Sequence, residues 1–229
     1  MAGGKLSARQ KMINLMYLVF IAMMALQMSK EVLDAFGQFE TKYSIANTLS
    51  SERNEILREG LEKLAEEKPE DYANLAVRAN RVNAITVEFF NYIERLKLDL
   101  LEAGKWEERD DQGRLDFATM EKPDVLNEMW FAGDGMKPAG QDVVDRINKY
   151  KNDIKEVLGE DVKYKSAIEN FDKRFDLNEV VNKEGKPVKW LKYHFEGFPA
   201  IASYTKLTAM QNDVKLTENN LYNLFIGNS

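Results

Sequence analysis

Arg9, Asn14, Tyr17 and Gln27 are the residues whose type and spacing invite a chemical role. Each sits in or beside an otherwise apolar run, KLSARQKMINLMYLVFIAMMALQMSKEVLD at positions 5 to 34. Between Lys11 and Lys30 lie 18 residues without a charge. As a helix rising about 1.5 Å per residue they span roughly 27 Å, close to the thickness of a bilayer core. A polar group in lipid costs free energy unless it finds a partner. At about 100° per residue Arg9 and Gln27 share one azimuth, with Met16, Phe20 and Met23 within about 40° of it. Tyr17 falls about 80° away and Asn14 about 60° beyond Tyr17. Met12, Met16, Met23 and Met24 suit an adaptable packing surface better than passive lipid contact. Two roles are open to Arg9: a snorkelling flank residue at the inner surface, or half of an ion pair with a membrane partner.

The run reads as an anchor that stays on the chain. A secretion signal has an apolar stretch of about 7–15 residues and small residues two apart before its cleavage point. Here Ala22 and Ala25 are three apart, Leu26, Gln27 and Met28 follow, and SKEVLDAFGQF continues in helical pattern. Lys5, Arg9 and Lys11 flank one side, while Lys30 on the other is offset by Glu31 and Asp34. Positive residues stay inside, so the N-terminus is cytoplasmic and residues from about 31 onward are exported. Ser7 and Gln10 have capping-box spacing, which opens the helix there and puts Arg9 in its first turn.

Elsewhere the supply of chemical groups is thin. Cys is absent, which removes disulfides and thiolate metal sites, and one histidine, His194, cannot build a multi-histidine centre. Between Tyr193 and Phe195, His194 reads as a structural or surface residue. AGDGMKPAG, from Ala132 to Gly140, lacks the Gly-Lys-Ser/Thr ending of a phosphate loop and reads as a turn. EERDDQGRLD carries Gly113 where a calcium loop wants its glycine, but Gln112 and Thr119 occupy acidic-ligand positions. No Gly-x-Ser-x-Gly occurs, and the carboxylates of EKLAEEKPED read as a solvated helix face. No enzyme and no cofactor are expected. The net charge of −6 hides an uneven split, since residues 1 to 30 hold Lys5, Arg9, Lys11 and Lys30 and no acid, leaving −10 for the rest. An acidic body is unsuited to neutralising phosphates, so nucleic acid is not an expected partner.

The elements that must position these groups read as all-α: a single N-terminal transmembrane helix continuing into an exported helical bundle. Helix one is expected to continue from the membrane through Leu33, Phe36, Phe39 and Tyr43 to Leu57, Leu61 and Leu64, with kinks or breaks at Gly37, Gly60 and Thr48–Ser51. Pro69, followed by Glu70 and Asp71, opens helix two. Leu75, Ala79, Val82, Thr86, Phe89, Ile93, Leu96 and Leu100 step alternately by four and three, a seam expected to pack antiparallel against helix one until Gly104 ends it as a C′ residue. Further helices are expected near Val125–Phe131, Gln141–Leu158 and Lys163–Asp172. A brief hairpin is possible in NKEGKPVKWLKYHFEGFP, and Pro199 opens the last helix.

The run MAGGKLSARQKMINLMYLVFIAMMALQMSKEVLDAFG closely resembles the start of the GldM/PorM family, gliding-motility and type IX secretion motor proteins, and FPAIASYTKLTAMQNDVK from Phe198 resembles the helix closing that family's first periplasmic domain. The resemblance implies an inner-membrane, single-pass protein divided into a cytoplasmic N-terminus and transmembrane helix (1–34), an all-helical first periplasmic domain (35–225) and a truncated end (226–229) where the family's β-sandwich domains would follow. It implies a homodimer whose paired membrane helices sit inside a ring of GldL-like two-span subunits, driven by the proton-motive force. Outer-membrane secretion components would be reached through the missing C-terminal domains. Arg9 matches the arginine expected to pair with a partner glutamate, and Tyr17 a tyrosine of the same helix; Asn14 and Gln27 join them as coupling contacts. The alternative on the same residues is a static membrane-anchored scaffold that recruits periplasmic partners.

Overall fold

The computed structural model describes residues 8–26, 29–107, 109 and 114–227. Among the described residues there are eight α-helices: α1 (Ala8–Leu26), α2 (Lys30–Glu67), α3 (Pro69–Gly104), α4 (Asp124–Trp130), α5 (Pro138–Leu158), α6 (Lys165–Arg174), α7 (Trp190–Phe195) and α8 (Ala200–Gly227). Two two-residue hairpins interrupt the helical order: β1 (Phe131–Ala132) pairs with β2 (Gly135–Met136), and β3 (Val180–Val181) with β4 (Pro187–Val188). The all-α expectation holds. AGDGMKPAG supplies the first hairpin turn and then opens α5 with Pro138. The second hairpin has its turn and β4 within the irregular stretch but its β3 just before it, and WLKYHF beyond it is the helix α7.

Two boundaries differ from expectation. Helix one is two helices: α1 ends at Leu26, and α2 starts afresh after Ser29, whose hydroxyl accepts from the Val32 amide at 3.4 Å as an N-cap. The anticipated breaks at Gly37, Thr48–Ser51 and Gly60 all lie inside α2, which runs through them. Gly37 serves close approach instead, since a Cβ there would stand 2.2 Å from the Phe117 ring. At the end of α3 the left-handed residue is Lys105 (φ 56°), one position later than expected, with Trp106 N–H donating to the Leu101 carbonyl and Lys105 N–H to Glu102 in a Schellman pattern. The Trp106 ring folds back over Gly104, whose Cβ would lie 1.9 Å from it. Gly104 is therefore selected by packing rather than by backbone angle.

The membrane-spanning part of the expectation is not met by the described residues. Among them no helix is long and apolar enough to cross a membrane. Uncharged residues of α1 run from Met12 to Leu26 and rise only about 22 Å, short of a bilayer core of about 30 Å. Asn14 and Tyr17 dilute that run further.

α2, α3 and α8 form the central bundle. A single residue, Lys68, links α2 to α3; Pro69 cannot prolong α2 and takes the first position of α3. The two therefore lie antiparallel. The α3 seam is buried at Leu75, Ala79, Val82, Thr86, Phe89, Ile93 and Leu100 and half-buried at Leu96. It serves α8 as well as α2, and Phe89 turns to α5, stacking on Tyr150 with centroids 4.6 Å apart. Tyr150 in turn meets Phe171 and Phe175 edge-on, joining α6 to this layer. On α2, Leu33 and Leu61 are core, whereas Phe39 is 56% exposed and Tyr43 is exposed, contrary to a simple continuation of the apolar face.

Phe89→Ala is expected to lower stability by about 3–5 kcal/mol through the void left against Tyr150, read as a fall in melting temperature; an unchanged melt would place this seam outside the core. Gly37→Val is expected to cost about 1–3 kcal/mol by overpacking against Phe117, checked in the same way.

Candidate functional site

Arg9, Asn14 and Tyr17 all lie on α1, and their side chains are exposed, Tyr17 by 64%. Ile13, Leu15, Met16, Leu18, Val19, Phe20 and Ile21 are exposed too, so the described part of α1 presents apolar surface on every side and buries little of it within this chain. Gln27 and Ser7, and the side chains of Met23 and Met24, lie outside the described residues. Arg9 keeps its place near the start of α1, on the helix face shared by Met16 and Phe20. Beyond the α1–α2 junction, the Glu31 carboxyl is held below its ordinary value by hydrogen bonding to its own backbone amide and to Ser29 at the N-terminus of α2.

The larger arrangement is one that the motif search passed over. α2 places Leu33, Glu40, Asn47, Asn54 and Leu61 at seven-residue intervals, all buried, and the middle three are polar. Their partners lie on α8. Asn47 Nδ2 donates to the Thr208 carbonyl at 3.2 Å and Asn212 Nδ2 donates back to Asn47 Oδ1 at 3.1 Å. One heptad on, Asn54 Nδ2 donates to the Lys215 carbonyl at 2.9 Å and Asn219 Nδ2 to Asn54 Oδ1 at 2.9 Å. The numbers rise together on both helices, so α2 and α8 run parallel. Seven-residue spacing of Asn inside an apolar seam was the available signal, because a buried amide at such a position fixes helix register.

Two charged nodes terminate this seam. Glu218 has no solvent exposure, and its carboxylate accepts from Asn54 Nδ2, Asn83 Nδ2 and Tyr222 Oη, each at 2.9 Å, and from Lys215 Nζ at 3.2 Å. At the other node Lys97 Nζ stands 3.3 Å from Glu94, 3.3 Å from Gln211 Oε1 and 3.9 Å from Glu40, over the Tyr204 ring at 4.8 Å. Burial pushes the Glu40 carboxyl above its ordinary value, against the pull of Lys97 and of the Thr208 hydroxyl that donates to it at 3.2 Å. These groups floor an open cleft of about 650 Å³, whose α2 side is Thr41, Ser44 and Thr48. Each node ties side chains of more than one helix together.

Glu218→Ala should destabilise the chain by about 3–5 kcal/mol, since four donors lose a buried carboxylate; a melt within a degree of the parent would remove this node from the framework. For Glu40 the folded carboxyl holds its proton above the unfolded value near 4.5, so stability falls as pH rises from there through the folded titration and is level beyond it. Glu40→Gln is expected to flatten that segment of the denaturation-against-pH curve.

No curated protein matches the chain. A family profile described as the GldM N-terminal domain matches residues 31–228, which takes in α2 through α8 and stops short of α1. By that match over most of its length, the chain belongs to the GldM family.

Proposed function

We propose that this chain is the subunit of an ion-driven inner-membrane motor that carries motion from the membrane into the periplasm. Membership in the GldM family makes it a component of the gliding-motility and type IX secretion machinery. The observation that carries the motor reading is the direct succession of an exposed apolar helix bearing Arg9, Asn14 and Tyr17 and a long helix locked to α8. In this reading α1, with the residues that lead to Ser29, is a single membrane pass with a cytoplasmic N-terminus. Two copies pair inside a ring of GldL-like two-span subunits, and Arg9 holds one ring glutamate ionised while its equivalents are free to be neutral. Protonation of that glutamate releases the pair and lets the helices step to the next subunit, the proton-motive force supplying the direction. Tyr17, Asn14 and Gln27 add contacts on the other faces of the helix.

The same fold supports a load path. Torque on α1 enters α2 at its capped start, Ser29. The Asn47–Asn212 and Asn54–Asn219 pairs pass it to α8, which finishes at the same end of the bundle as α2. A static scaffold shares the anchor and the bundle but has no need for Arg9.

The test is Arg9→Ala in cells, with Arg9→Glu beside it. Both are expected to abolish gliding and type IX cargo secretion at normal protein level and membrane insertion. Normal secretion in both variants would remove Arg9 from coupling and leave the scaffold.

A further inference from the structure

On the flank of α8 away from its Asn seam, α5, α6 and α7 close over a second cavity of about 200 Å³. Its walls include the rings of Phe175, Trp190 and Phe195, and its polar groups are Lys206, His194, Arg174 and Asp213. Lys206 Nζ donates to the His194 carbonyl and lies 3.3 Å from the Phe198 ring centroid, with Phe195 at 5.7 Å. Among the described residues no carboxylate pairs with it, and burial pulls its amine down to about 8. Burial, then the neighbouring Lys206, holds the His194 imidazole below its ordinary value. The one acid, Asp213, is pushed up by burial and faces Arg174 Nε at 3.7 Å. With Arg174 and Asp213 offsetting each other, Lys206 leaves the cavity one positive charge in excess at neutral pH.

Size narrows the occupant. The volume equals the liquid share of six or seven waters at about 30 Å³ each and is below the roughly 300–1,000 Å³ of sites for drug-sized ligands. It suits one ring or one large side chain. We propose that this cavity binds a small monocarboxylate with a ring-sized apolar body, the ring held among Phe175, Trp190 and Phe195 and the carboxylate set against Lys206. A free aryl acid and the C-terminal aromatic residue of a polypeptide both present that chemistry. The site is independent of α1 and of the motor reading.

The test titrates the full chain with phenylacetate, N-acetyl-L-phenylalanine and the uncharged N-acetyl-L-phenylalanine amide, followed by calorimetry. Saturable binding of an acid is expected, at least tenfold weaker for the amide and in Lys206→Met, and lost in Ala209→Trp, which plugs the cavity. Preference for phenylacetate assigns the site to a free acid, and equal or tighter binding of N-acetyl-L-phenylalanine assigns it to a chain terminus. Should Ala209→Trp melt early, Met210→Phe fills the same space. Absence of saturable binding by either acid, an amide bound as tightly, or binding indifferent to both the lysine and the plug would overturn the proposal.

Discussion

Glu218 is a carboxylate cut off from solvent, and the bundle is arranged around keeping it satisfied. Removing an ion from water carries a penalty that only several well-placed donors offset. Here the donors come from all three long helices: Asn54 from α2, Asn83 from α3, and Lys215 and Tyr222 from α8 itself. No rotation or slide of one helix leaves all four in reach. Apolar packing alone would tolerate slippage, because one methyl contact resembles the next. The carboxylate turns a bundle of compatible faces into one alignment.

The Asn pairs extend that alignment along the axis. Each Asn of α2 offers both an acceptor and a donor and finds both complements on α8, so neither amide is left wanting in the core. A parallel pair cannot be joined by a short turn, since the chain must return the full length of the helices before starting again. α3 makes that return, antiparallel to both helices, so the segment between α3 and α8 leaves and rejoins the bundle at one end and forms α4 to α7, two hairpins and the aromatic layer around Tyr150. The Lys206 cavity exists because this segment covers the side of α8 that α2 leaves bare.

The junction at Ser29 separates two different kinds of helix. The described side chains of α1 are mostly apolar and exposed, while α2 is amphipathic and tied to α3 and α8. The N-cap gives α2 a firm start of its own, with Glu31 favoured by the helix N-terminus.

The helical class, the α3 seam, the Pro69 and Pro199 helix starts and the stop of α5 before Gly159 were legible in the sequence, because they follow from local periodicity, proline geometry and capping. The polar residues of α1 were legible for the same reason: their oddity is local to an apolar run. Glu40, Asn47 and Asn54 were passed over, since their seven-residue spacing names no partner and the partners lie some 165 positions away. Gly37 and Gly104 looked like a break and a cap, but a ring decides each: Phe117 from a distant segment, and Trp106 folding back from two residues on. Phe39 and Tyr43 looked like core and are exposed, because the parallel approach of α8 turns the buried face of α2 toward its asparagines. Local chemistry sets where helices start and stop; the pairing of distant polar groups, whose cost in a core depends wholly on finding one another, is decided only when the chain is folded.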